Sequence, residues 1–253
     1  MTWNIMLLLF AVGVMGGAIN AVAGGATLFT FPAMMAAGLT PVVANASSSV
    51  ALTPGNLTGV LSERSQLPAF DGALWLHIAI AAIGGAAGAL LLLWTPDRVF
   101  TALVPLLIGV ATLIFAFSKQ IQAAVRPTDP AHHDTPLARQ VALLPTTIYG
   151  GYFGAGMGVM LMALFSMTSA WAVRTANAVK NMLGAAANWA AIVIFVAQGV
   201  IAWPQTLVML LGALIGGFLG GKLLAIVPVI WLRRFVITMG TLMTAVYVYR
   251  YWL

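Results

Sequence analysis

Eleven Lys and Arg and five Asp and Glu are all the formal charge that 253 residues carry, and almost all of it stands between long apolar stretches. A chain patterned this way folds in lipid, because 62% hydrophobic residues and a mean hydropathy of +1.02 exceed what a water-soluble domain of this size can bury. Within those stretches Asp and Glu are absent, while Lys180 stands several residues inside one of them. Ionisable groups at membrane depth mark function, and a lone cation there selects an anionic cargo.

A membrane-crossing helix needs about 20 mainly apolar residues, and four segments qualify cleanly: Gly72–Trp94, Val99–Phe117, Pro204–Ile226 and Trp231–Leu253. Two more, Val43–Leu61 and Arg174–Val196, are long enough but rich in Asn, Ser, Thr, Gly and Ala. These can span only with their polar faces turned to protein or to a water-filled path. The chain is therefore expected to be an all-α integral membrane protein.

The first basic residue is Arg64, so the apolar N-terminus lacks the basic start of a secretory signal and is expected to stay in place. With no Cys there is no disulfide framework and no thiolate metal site. The net charge of +6 does not point to nucleic acid, because its residues flank apolar segments and belong to no basic surface domain. His132-His133 reads as loop polarity, so neither a metal nor a cofactor is expected.

An internal repeat organises the chain. Ala44-Asn45-Ala46 recurs as Ala176-Asn177-Ala178 and Asn56 recurs as Asn188, both 132 residues on (177 − 45 and 188 − 56), and the same offset sets Gly24 on Gly156. A Gly-rich stretch from Gly13 to Gly25 faces a second from Gly150 to Gly158. This reading gives two transmembrane repeats, residues 1–118 and 140–253. Residues 119–139, with Pro127, Pro130, Pro136 and several charges, form a solvated connecting loop between them.

The orientation of the halves turns on the entry segments Trp3–Val22 and Val141–Met162. As full crossings they give eight spans in two four-helix halves and divide the basic residues evenly between the membrane faces, against the positive-inside rule. As re-entrant or half-helix hairpins that break at glycine and return over Leu28–Ala37 and Val159–Thr168, they leave three crossings per half. That arrangement puts Arg64, Lys119, Arg126, Arg139, Arg174, Lys222, Arg233 and Arg234 on one face, with Arg98 and Arg250 opposite. An odd number of crossings inverts the second repeat relative to the first. The expected architecture is thus two inverted repeats with a cytoplasmic 119–139 loop and both termini outside.

Backbone without helical hydrogen bonds cannot face lipid, so the Gly breaks must be buried against protein or water. Asn20 to Thr27, with Gly24 and Gly25, and the run containing Gly156 and Gly158 would set amides and half-helix N-termini near the midplane, where they attract anions. The pairs Gly13/Gly17, Gly84/Gly88 and Gly212/Gly216 are better read as close helix packing. The polar segments add donors suited to an oxyanion: Asn45, Ser47, Ser48, Ser49 and Asn56 in one, Asn177, Lys180, Asn181 and Asn188 in the other. Back-bonding to the helix explains some of these hydroxyls. The offset sets Lys180 opposite Ser48, so one half offers a cation where the other offers a hydroxyl, and the two together suggest a single anion site. Arg174, six residues before Lys180, reads as an interface anchor, and His77, Tyr247, Tyr249, Tyr251 and Trp252 as the interfacial belt.

Ala23-Gly24-Gly25-Ala26-Thr27, then Phe31-Pro32, then Gly38-Leu39-Thr40-Pro41-Val42-Val43-Ala44-Asn45-Ala46-Ser47, together with the second Gly-rich copy from Gly150, resemble the sulfite exporter TauE/SafE family, also called toluene sulfonate uptake permeases. The resemblance covers nearly the whole chain and implies a bacterial inner-membrane transporter for sulfite, sulfonates or related organosulfur anions. Ala23, Ala26 and Met157 stand where a richer glycine pattern is expected.

Alternating access around a midplane site is the expected mechanism, with a small anion and the lipid bilayer as partners and no nucleic acid. An anion channel or an uptake permease for another small oxyanion would use the same residues. A membrane enzyme would need an acid, base, nucleophile or metal within the apolar segments, where only Lys180 and polar amides or hydroxyls are available.

Overall fold

A computed structural model describes residues 2–22, 25–62, 64–124, 135–223 and 229–252. These form eleven α-helices and one 3-10 turn, with no strand among the described residues. The first five helices are α1 (Trp3–Val22), α2 (Thr27–Ala36), α3 (Pro41–Ser62), α4 (Gly72–Trp94) and α5 (Asp97–Ala116). A short α6 (Ser118–Ala124) leads to α7 (Pro136–Tyr152), α8 (Met157–Thr168), α9 (Val173–Ala197), α10 (Trp203–Leu223) and α11 (Val229–Tyr251). Shifted by the sequence offset, α3 and α5 start where α9 and α11 start, and α2 ends where α8 ends.

Local chemistry sets several boundaries. Asp71 caps α4 by accepting the Leu74 amide at 2.8 Å, Pro96 closes the approach to α5, and Pro136 occupies the first turn of α7. Trp3–Asn20, Gly72–Trp94, Asp97–Ala116 and Val173–Ala197 are long and apolar enough to cross a membrane. Large apolar side chains such as Leu7, Ile83, Leu113, Val193 and Phe218 are exposed, as a lipid-facing surface requires.

The glycine pairs lock helices together. A Cβ on Gly13 or Gly17 of α1 would strike the Met209 or Ala213 carbonyl of α10, and one on Gly212 or Gly216 would strike the Phe10 or Val14 carbonyl in return. On the other side of the molecule Gly84 and Gly88 of α4 meet Thr147 and the Ile148 carbonyl of α7. Contacts advance together along both partners, so α1 and α10 run in the same direction, as do α4 and α7. Close backbone approach, the packing expected for these pairs, is what they provide.

The entry segments break where the clustered glycines stand. α1 runs unbroken through Gly13, Gly16 and Gly17 to Val22, and α2 begins at Thr27 after non-helical Gly25 and Ala26; α7 and α8 are separated by 153–156. In the second case the chain visibly doubles back: the Thr135 amide at the mouth of α7 donates to the Thr168 carbonyl at the end of α8, 3.2 Å away. Twelve residues give α8 a length of about 18 Å, short of a full crossing.

α6 occupies Ser118–Ala124, and α7 begins at Pro136, carrying Arg139 into the protein, where it is 5% exposed. His132 and His133 lie outside the described residues. His77 does not sit in an interfacial belt either: it is 2% exposed beneath Arg139. Tyr247 is likewise buried and stacks on Tyr251 at 5.6 Å, leaving Tyr249 and Trp252 at the surface.

Candidate functional site

Gly156 is the N-cap of α8 at φ +84°, a left-handed conformation that glycine adopts without steric cost. The sharp turn swings the first turn of α8 toward α9. There the aliphatic stem of Lys180 passes Gly158, with 3.8 Å separating its Cδ from where a Gly158 Cβ would stand. The Lys180 ammonium donates to Asn177 Oδ1 at 2.7 Å, one turn earlier on α9. A half-buried cation, an amide and a helix N-terminus thus share one place, and both the charge and the helix dipole favour an anion. Met157 departs from the expected glycine pattern, and its side chain lies against Gly150 of α7 and Gly184 of α9, one turn beyond Lys180.

Asn181 and Asn188 are half-buried farther along α9, and Arg174 is exposed at its start, as an interface anchor would be. In the first half, Asn20 is half-buried in the last turn of α1, and Gly25 takes φ +81° beside the Phe115 ring and Val236. Gly24 and the Asn56 side chain lie outside the described residues.

The α3 cluster braces the two breaks. Asn45 Nδ2 donates to the Tyr152 carbonyl at 2.9 Å, at the last residue before the 153–156 break. Thr30 Oγ1 donates to the Ala26 carbonyl at 3.1 Å, so the 2.7 Å Ser48–Thr30 contact has Ser48 as donor, and the pair braces the other break. Ser47 accepts the Ala202 amide at 3.0 Å, tying α3 to the approach of α10. Ser49 and Thr53 bond carbonyls four residues back in their own helix. Three of the hydroxyls and amides expected at the site, those of Asn45, Ser47 and Ser48, therefore make frame contacts. The side-chain Oδ1 of Asn45 is buried without a hydrogen-bond partner among the described residues.

Sequence reasoning passed over Thr30 and Tyr149, whose hydroxyl donates to the Ala155 carbonyl at 2.7 Å inside the second break. Both carried a readable signal, a hydroxyl set within an apolar or Gly-rich run beside a break. Arg139 and His77 carried a signal too, a basic pair at membrane-helix positions, but proximity to helix ends hid it.

Comparison with known proteins bears on this arrangement. The family model described as "Sulfite exporter TauE/SafE" matches residues 9–247. The chain belongs to the sulfite exporter TauE/SafE family. It is similar to the "Probable membrane transporter protein YfcA" of Escherichia coli K12, 26% identical over 243 residues that cover 95% of this chain and 88% of that protein. A "Probable membrane transporter protein" of Haemophilus influenzae is 26% identical over 247 residues, covering 97% of this chain and 95% of its own. "Probable membrane transporter protein ORF9" of a Sinorhizobium species is 26% identical over 231 residues, covering 88% and 84%. TauE/SafE membership and these relatives mark the chain as a multi-pass membrane transporter.

Proposed function

We propose that this transporter carries sulfite or a small organosulfonate anion out of a bacterial cell across the inner membrane, by alternating access around an anion site near the midplane. The observation that carries the reading is the meeting of Lys180 and Asn177 with the first turn of α8. Lys180 supplies charge; Asn177, Asn181 and the backbone at Gly156 and Gly158 supply hydrogen bonds. Asn20, Gly24, Gly25, Ser49, Asn56 and Asn188 belong to the matching face from the first repeat and the rest of α9. No Asp or Glu stands inside the apolar stretches of the sequence, and among the described residues Asp71 caps α4 and Asp97 opens α5, so an anion suits the charge of Lys180.

Alternating access requires two halves that exchange roles, and the helix directions favour inverted repeats, 1–118 and 140–253. With α3, α4 and α5, and then α9, α10 and α11, each crossing once, α4 and α10 start on opposite sides. α7 runs with α4 and α1 runs with α10, so the two hairpins enter from opposite faces. The same threading gathers Arg64, Lys119, Arg174, Arg233 and Arg234 on the side of α6, which the positive-inside rule makes cytoplasmic, with both termini outside.

Uptake of radiolabelled sulfite into proteoliposomes tests the reading. Saturable uptake, competed by other sulfur oxyanions and lost in Lys180→Gln with the fold intact, is expected. Equal uptake by the variant would remove Lys180 from the site, flux that never saturates would favour a channel, and no uptake by wild type would overturn the substrate.

A further inference from the structure

Arg139 sits where the α7–α8 hairpin closes. Its Nη1 donates to the Thr168 carbonyl in the last turn of α8 at 3.2 Å, its Nε donates to His77 Nε2 on α4 at 3.3 Å, and its guanidinium lies 4.8 Å over the Trp171 ring. Beside it the Thr135 amide reaches the same Thr168 carbonyl. One planar fork thus joins the start of α7, the end of α8, α4 and the α8–α9 connector, a geometry that a lysine cannot reproduce.

The matching positions of the opposite repeat, 132 residues earlier or later, are Leu7 for Arg139, Ala36 for Thr168, Leu39 for Trp171 and Met209 for His77. Leu7 is 52% exposed and Met209 is buried. The polar clasp therefore exists on one hairpin alone, and that hairpin is the one whose inner end faces Lys180. Its cation also stands at the C-terminal end of α8, opposing the negative pole of that helix and leaving the positive pole at Gly156 to act on a ligand.

We propose that Arg139 is a positioning residue of the transport site: by clasping the outer end of α8 to α4 and α7, it sets where the first turn of α8 stands against Lys180 about 18 Å away. The inference rests on the anion site proposed above. α8 acts as a rigid lever, and release of its outer end lets the inner turn drift from Lys180. Ligand affinity then falls while the conformational cycle continues.

The test uses Arg139→Leu, the residue found at position 7, in the full chain reconstituted into proteoliposomes. Sulfite KM should rise about tenfold, as for loss of a hydrogen bond to a charged group, while the maximal rate changes little. Because the chain has no Cys, Thr135→Cys with Thr168→Cys provides a replaceable clasp. Oxidation of this pair in the Arg139→Leu background should bring KM back toward wild type, and reduction should raise it again. An unchanged KM in Arg139→Leu, or a raised KM that the disulfide leaves raised, overturns the proposal. Where Leu prevents folding, Arg139→Lys takes its place with the same expected direction. If wild type takes up no sulfite, the substrate reading fails on its own, and hydrogen exchange decides the clasp. The first turn of α8 should exchange faster in Arg139→Leu while α2 is unchanged; equal exchange in α8 overturns it.

Discussion

Asn45 on α3 donates its side-chain amide to the backbone carbonyl of Tyr152, 2.9 Å away at the end of α7. A residue of the first repeat thereby satisfies the last carbonyl before the break in the second. The break can be buried only because such a donor comes from elsewhere in the chain.

Removing that donor exposes its contribution. Asn45→Ala should lower stability by about 1–3 kcal/mol, the cost of an orphaned buried carbonyl. Asn45→Asp should cost more, since it sets a carboxylate against the Tyr152 oxygen. Thermal unfolding in detergent measures both, and an Asp variant as stable as wild type would contradict the contact.

Frame and site separate at Ser48. Its hydroxyl braces Thr30, so Ser48→Ala should cost about 1 kcal/mol of stability and leave sulfite KM within about twofold. Lys180→Gln should do the reverse. A large KM change in Ser48→Ala would return that hydroxyl to the substrate.

Glycine substitutions should fall into three classes. Gly17→Ala drives a methyl into the Ala213 carbonyl and should cost about 1–3 kcal/mol by overpacking α1 against α10. Gly156→Ala meets only ordinary van der Waals contact, with Ala111 and Ile114 at 3.8 Å, but a left-handed backbone, for about 1–2 kcal/mol of strain and a raised KM. Gly217→Ala, with nothing near its Cβ, should be silent. Melting temperatures of the three variants give the order, and a silent Gly17→Ala would refute the close packing.

Topology can be read by labelling, since every introduced thiol is the only one. Ser65→Cys and Pro96→Cys are exposed sites flanking α4. A membrane-impermeant maleimide on intact cells should label Pro96→Cys and spare Ser65→Cys. The opposite pattern would invert the orientation proposed from the basic residues.

Helix existence, the site of both breaks and the packing glycines were legible in the residues, because span length, glycine clustering and small-residue spacing are local signals. The role of the α3 polar cluster was legible only in part. Asn45, Ser47 and Ser48 were recognisable as buried donors, but what each one meets depends on contacts with Tyr152, Ala202 and Thr30 that no local pattern encodes. Arg139 shows the same limit: next to a proline-containing connector it reads as solvated, and only the doubling back of α8 encloses it.

The pairing of α1 with α10 also constrains how the protein is made. The Gly13 and Gly17 face leaves the ribosome about 200 residues ahead of its partner surface around Met209 and Ala213. At the usual elongation rate of about 5–20 residues per second, α1 waits roughly 10–40 s in the bilayer before it can dock. Through that interval its small-residue face is open to any neighbouring helix, so assembly of the first hairpin is completed only when α10 is inserted.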